Sequence, residues 1–149
     1  MLRDLQSFAT NVNGQCKASA QMVRGSFVQI NEVTKTFAVT SSITDAFIVD
    51  KDMTVTKASA MGEEYSDYDV DQDTILVGQF AGLVSLQKGV RKATSEYTLA
   101  VGEGLADTYL TITNGKLVPS GALGVTPTNI KSLGLITDNF HTLLGFRIV

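Results

Sequence analysis

For most of its length the chain alternates short apolar runs with polar, turn-forming segments. From Met22 onward, runs rich in β-branched and aromatic side chains are separated by Asp, Asn, Gly and Ser. Such runs predict β-strands, because these side chains fit a pleated and partly buried surface. The predicted strands cover residues 26–30, 35–40, 46–49, 53–56, 74–77, 81–86, 96–101, 108–113, 116–118 and 143–149.

The first 21 residues follow a different pattern. Leu2, Leu5, Phe8 and Val12 recur every three or four positions, which is the spacing of one face of a helix. We therefore predict that residues 1–21 form an arm or a short helix ahead of one β-rich domain over residues 22–149. Apolar side chains on such an arm are candidate anchors for a partner, and these are Leu2, Leu5 and Phe8.

The turn signals refine the predicted fold. Asn114-Gly115 separates two alternating apolar runs, and a type I′ hairpin needs positive φ at both central residues, which Asn and Gly tolerate. Pro119 is expected to end the returning strand, and residues 50–52 are expected to form a tight turn. The prediction is an all-β fold, or a mostly β fold with a short N-terminal helix or arm. Its short antiparallel strands would build a compact sandwich or barrel.

Composition restricts the class of protein. The chain has 149 residues, of which 44% are apolar and 18% charged, and it has one cysteine, so no intramolecular disulfide can form. The net charge is −3 and the basic residues are scattered, which argues against binding a phosphate backbone. The first eight residues lack the apolar stretch of a signal peptide, and no run approaches the length of a membrane span. We expect a soluble protein made in the cytoplasm, with neither nucleic acid nor membrane as partner.

Candidate catalytic chemistry is sparse. Cys16 and His141 are the single cysteine and the single histidine, and no flanking signature pairs them. His141 has no second histidine or nearby cysteine to complete a zinc site. Gly102 and Gly104 lack the third glycine or the lysine of a phosphate-binding loop, so they predict a turn. The sequence predicts no enzyme, no metal site and no cofactor.

An acidic segment interrupts the strand pattern. Residues 63–73 carry six carboxylates and no basic residue, which leaves the rest of the chain with a net charge of about +3. Carboxylates at alternate positions resemble the start of a calcium loop, but Gln72 and Gly78 stand where glycine and glutamate are required. A solvated loop or charge-guarded edge strand, an electrostatic contact with a basic partner, and an ion contact all remain open. The residues concerned are Asp67, Asp69, Asp71 and Asp73.

The second half of the chain resembles a known family. Residues 82–89, 100–104 and 111–117 repeat the order strand, glycine-bearing turn, strand, with turn glycines such as Gly89, Gly104 and Gly115. This repeated order of strands and glycine-bearing turns is similar to that of the decoration or cement proteins of tailed-bacteriophage heads. The resemblance covers about half of the chain, and residues 1–21 and 63–73 have no counterpart in it.

The resemblance implies a structural role on a virion. Such proteins are small β proteins that bridge neighbouring subunits of a capsid lattice, and they carry no catalytic residues. The implied partner is the major capsid protein, the implied state is a homo-oligomer such as a trimer or dimer, and the implied location is the outer capsid surface. Two alternatives stay open. One is a tail-tube or baseplate subunit, and the other is a carbohydrate- or receptor-binding β module, for which the absence of tryptophan is unfavourable.

Overall fold

Strands make up about half of the chain described by the structure, a computed structural model that describes residues 1–6, 12–50 and 73–149. No α-helix occurs among these residues, and a 3-10 turn lies at Ala122–Gly124. The strands in chain order are β1 (Leu2–Gln6), β2 (Val12–Asn13), β3 (Lys17–Ala18), β4 (Met22–Val23), β5 (Phe27–Asn31), β6 (Thr36–Val39), β7 (Phe47–Asp50), β8 (Thr74–Ile75), β9 (Gly82–Ser85), β10 (Arg91–Thr94), β11 (Tyr109–Thr113), β12 (Lys116–Pro119), β13 (Ile130–Asp138) and β14 (His141–Ile148).

Two curled six-stranded sheets form a half-barrel or sandwich. The terminal sheet has the order β1-β10-β14-β13-β11-β12, and the central sheet has the order β2-β9-β7-β5-β6-β3. Neighbouring strands are antiparallel apart from β3 and β6, which run parallel, and β4 and β8 form a separate antiparallel pair. The prediction of a mostly β fold is therefore confirmed.

The main core lies between the two sheets. Phe27 of the central sheet meets Phe146 of the terminal sheet with ring centroids 5.6 Å apart and planes tilted by 59°. Tilted aromatic pairs at this separation are favourable beyond the area that they bury. Ile48 on one sheet and Leu110 and Ile130 on the other belong to the same buried cluster, so this core joins the sheets.

A second core covers the other face of the central sheet. Val28, Val49 and Leu83 belong to it, together with Cys16, which directly precedes β3, and Ile75 of β8. Each of these strand residues has a neighbour in its own strand that is buried in the main core, because successive side chains point to opposite faces. The central sheet is thus buried on both faces, and its strands are short continuous apolar runs.

The Asn114-Gly115 hairpin is confirmed. Both residues have positive φ, 48° and 76°, as a type I′ turn requires. The turn also docks onto the other sheet, because the Gly115 N–H donates to the Thr40 carbonyl at 2.7 Å and the Phe27 N–H donates to the Gly115 carbonyl at 2.9 Å. The hairpin between β11 and β12 therefore joins the two sheets through backbone bonds.

The N-terminal prediction needs correction. A helix over residues 1–21 is wrong in the described part, because Leu2–Gln6 is strand β1, paired antiparallel with β10 at the edge of the terminal sheet. Residues 12–13, 17–18 and 22–23 are short strands as well. The helical spacing was overridden because β10 presents an unpaired row of backbone groups, and pairing with it satisfies the backbone and buries Leu2.

One further predicted strand is absent from the structure, and two further observed strands were not predicted. Residues 96–101 form no strand, and only Tyr97 makes an isolated bridge, to Leu117. Strands β10 and β13 were not predicted, since β10 carries Arg91 and Lys92 and β13 is broken by an irregularity between Ser132 and Gly134. The strand predicted at residues 53–56 and most of the turn predicted at 50–52 lie outside the described residues.

Candidate contact surfaces

Of the three predicted N-terminal anchors, the structure describes the side-chain environment of Leu2. The Leu2 side chain is only 7% exposed and belongs to the main core between the sheets. Leu5 lies within β1, and Phe8 lies outside the described residues. Leu2 is therefore a core residue and is not available to a partner.

Of the predicted acidic contact residues, the structure describes Asp73. Its Oδ2 lies 3.8 Å from the α-amine of Met1, and its carbonyl accepts a hydrogen bond from the Arg24 N–H. The Met1 amine also donates to the Ser95 Oγ at 2.8 Å. Burial lowers the pKa of this amine, and the charge of Asp73 partly opposes that effect. Asp73 thus has a role within the fold, while Asp67, Asp69 and Asp71 lie outside the described residues.

The two residues considered for catalysis have different environments. Cys16 is buried in the second core, whereas His141 is exposed at the start of β14 in the terminal sheet. Within residues 1–6, 12–50 and 73–149, no three His, Cys, Asp or Glu side chains are grouped so that they could hold a metal ion. The same residues contain no helix that is long and apolar enough to cross a membrane.

An exposed apolar turn follows β8. We call Leu76, Val77 and Phe80 the apolar turn, since their side chains are 51%, 66% and 57% exposed and they lie within five consecutive residues. Single exposed apolar side chains are ordinary on protein surfaces, but adjacent ones create a patch that water solvates poorly. Such patches are typical of surfaces that bind other proteins.

Backbone hydrogen bonds hold the apolar turn in one conformation. The Gln79 N–H donates to the Leu76 carbonyl at 3.0 Å, and Gly78 between them has the positive φ, 81°, that glycine adopts without strain. Ala18 of β3 bonds to the turn twice, donating to the Gln79 carbonyl at 2.9 Å and accepting from the Gly78 N–H at 2.8 Å. Because the turn is already ordered, a partner that covers it loses little conformational entropy.

A charged side chain borders this turn on one side. The Lys17 Nζ lies 5.2 Å from the centroid of the Phe80 ring, within cation–π range. Sequence reasoning missed the turn because it extended a strand over residues 74–77, whereas β8 ends at Ile75. Gly78 was the available signal, since a glycine directly after an apolar run often marks a turn.

A second exposed apolar group lies at the tip of the hairpin between β13 and β14. Asn139 and Phe140 both have positive φ, 47° and 69°, and the Phe140 side chain is fully exposed. A bulky residue in this conformation is strained, and full exposure of the ring gives no stabilisation in return. Local strain at an exposed residue is consistent with a role in contacts to another molecule.

Comparison with known proteins identifies no relative. No protein-family model matches the chain, and neither a curated protein nor a solved structure matches it.

Proposed function

We propose that this chain is a structural binding protein that attaches to a preformed protein lattice, as the decoration proteins of tailed-bacteriophage heads do. The observation that carries the proposal is the apolar turn, which displays Leu76, Val77 and Phe80 on an ordered backbone. The proposed partner is the major capsid protein on the outer surface of a virion, and the proposed bound form is a homo-oligomer.

The size of the apolar turn favours a lattice over a single partner molecule. Fully burying an apolar side chain contributes about 1.5–3 kcal/mol, and these three are already about half buried, so together they offer roughly 3–5 kcal/mol. A free energy of that size corresponds to a dissociation constant near the millimolar range. Such a contact becomes useful when several copies bind a repeating surface at once, because linked weak contacts add through avidity.

The double substitution Val77→Ser with Phe80→Ser tests the proposal. The wild-type chain should co-sediment with shells assembled from the major capsid protein encoded in the same genome. The double variant should lose at least about tenfold in apparent affinity, since each lost anchor is multiplied over the copies that bind together. Val33→Ser is the matched control, because Val33 is 93% exposed on the turn between β5 and β6.

Folding of each variant is checked by circular dichroism and thermal unfolding before binding is compared. Equal co-sedimentation of the wild type and the double variant would show that the apolar turn is not the contact surface. Rings that form without any shell, detected by size-exclusion chromatography with light scattering, would contradict attachment to a lattice and favour the tail-tube alternative.

A further inference from the structure

A row of basic side chains crosses the outer face of the terminal sheet. The strand registers place Arg91 of β10 beside Arg147 of β14, Arg147 beside Lys131 of β13, and Lys131 beside Tyr109 of β11. The residues next to them in sequence, such as Ile148, Ile130 and Leu110, point into the main core, so the basic residues point outward. We call Arg91, Arg147 and Lys131 the cationic row.

This arrangement costs folding free energy. Like charges directly opposite each other on neighbouring strands are destabilising, and the row contains two such pairs, Arg91 with Arg147 and Arg147 with Lys131. Strands lie about 4.8 Å apart, so the row places three cations within roughly 10 Å. A surface that is unfavourable for the free chain is a candidate for binding a molecule of opposite charge.

The charges in the row are only partly compensated within the chain. Arg147 Nη2 donates to the Asp107 Oδ1 at 3.1 Å, while the Arg147 Nε is buried without a hydrogen-bond partner. The Lys131 Nζ lies 4.7 Å from the centroid of the Tyr109 ring, and no carboxylate of the described residues forms an ion pair with it. Within the described parts of the chain, no ion pair or hydrogen bond engages the guanidinium of Arg91, which is exposed. Among the residues that the structure describes, these three cations therefore have one carboxylate, that of Asp107, as an ion-pair partner.

We propose that the cationic row binds a carboxylate-rich segment of another protein chain. Carboxylates form short, charge-assisted hydrogen bonds with guanidinium groups, and arginine can hold them with two parallel bonds. Side chains on one face of an extended segment recur every 6–7 Å or so, so two acidic residues of such a segment can span the row. This inference concerns the outer face of the terminal sheet and does not depend on the apolar turn.

Two features favour an acidic protein segment over a nucleic acid. The chain has a net charge of −3, so a long polyanion would be repelled over much of the remaining surface. Single-stranded nucleic acids gain much of their affinity by stacking bases on aromatic rings. Here the Tyr109 ring is already covered by Lys131.

The test measures peptide binding to the full 149-residue chain by fluorescence anisotropy at low salt. The probes are hexaglutamate and a labelled peptide with the sequence of residues 62–73, which carries six carboxylates. The control peptide replaces each Asp and Glu by Asn and Gln. The wild type should bind both acidic probes but not the amide control, and binding should weaken as salt is added.

Four variants locate the site. Arg91→Glu and Lys131→Glu should each weaken binding by at least about tenfold, since each replaces an attraction by a repulsion. Lys35→Glu makes the same change of charge on the turn between β5 and β6 and should leave binding unchanged. Asp107→Asn should tighten binding by about threefold or more, because it removes the competing carboxylate from Arg147. Asn tolerates the positive φ of 67° at this position, so the backbone should be retained.

Several results would overturn the proposal. These are no binding of either acidic probe, equal binding of the amide control, or an equal loss in Lys35→Glu. Tighter binding of a single-stranded DNA oligonucleotide through Arg91 and Lys131 would assign the row to nucleic acid instead. Binding of millimolar inorganic phosphate, without binding of either acidic peptide, would reduce the row to a small-anion site. If Lys131→Glu fails to fold, Lys131→Gln replaces it and should still weaken binding by about threefold.

Discussion

Gly115 occupies a position where a side chain has no room. A Cβ there would lie 2.9 Å from Val39 Cγ1 and 3.1 Å from the Phe27 carbonyl oxygen, and the φ of 76° is unfavourable for other residues. Gly115→Ala should therefore lower the free energy of unfolding by about 2–3 kcal/mol, from backbone strain together with the contact. Urea denaturation followed by circular dichroism measures the change.

Gly102 supplies the matched control for that substitution. Its φ of 84° is similar, but nothing lies within 4 Å of an added Cβ. Gly102→Ala should lower the stability by only about 1 kcal/mol, which isolates the backbone term. Equal losses in the two variants would mean that the Gly115 turn can move away from Val39 without cost.

Local backbone preferences explain which residue conformations could be predicted from the sequence. Asn114 and Gly115 were predictable because a type I′ turn depends on their own backbone preferences. Phe140 was not, since it adopts the same conformation at the tip of the other hairpin against its own preference. The docking of Gly115 against Phe27 was also beyond sequence reasoning, because it depends on how the two sheets meet.

At the level of elements, β1 is the strand whose observed role differs most from its predicted role. Its predicted role as an arm depended on helical spacing, yet its backbone completes the edge of the terminal sheet and Leu2 joins the core. Leu2→Ala should therefore lower the free energy of unfolding by about 2–4 kcal/mol, as for other buried leucines. Thermal unfolding checks this, with the exposed Leu123→Ala as control. An unchanged midpoint of thermal unfolding in Leu2→Ala would indicate instead that this segment is a loosely attached arm.

Strands β10 and β13 were not predicted from the sequence, and the physical reason is the same for both. In β10, Arg91 and Lys92 replace the apolar alternation, and Lys92 is buried although it is charged. In β13 the irregularity between Ser132 and Gly134 shifts the register, so no single period covers its nine residues. Both strands exist because β14 lies between them and provides backbone partners on both edges. Nonlocal pairing of this kind leaves little trace in a strand's own sequence.

At the scale of the whole molecule, the central sheet joins two cores into one structure. Its strands bury one face against the terminal sheet and the other against the segments that carry Cys16 and Ile75. Consecutive residues such as Val49 and Ile48 thus belong to different cores. The apolar content of the sequence indicated that a core could form, but its division into two layers depends on nonlocal pairing, since β4 and β8 bring Met22 and Ile75 together in the second core.

This layering predicts that both cores unfold together. Leu83→Ala in the second core and Leu110→Ala in the main core should each lower the free energy of unfolding by about 2–5 kcal/mol, with the urea dependence unchanged. Cys16 is a direct reporter of the second core, because its thiol is buried there and becomes reactive when that layer opens. Labelling of Cys16 and the circular dichroism of the sheets should follow one coincident transition in urea. Labelling at a lower urea concentration than the loss of sheet signal would show instead that the layer behind the central sheet opens on its own.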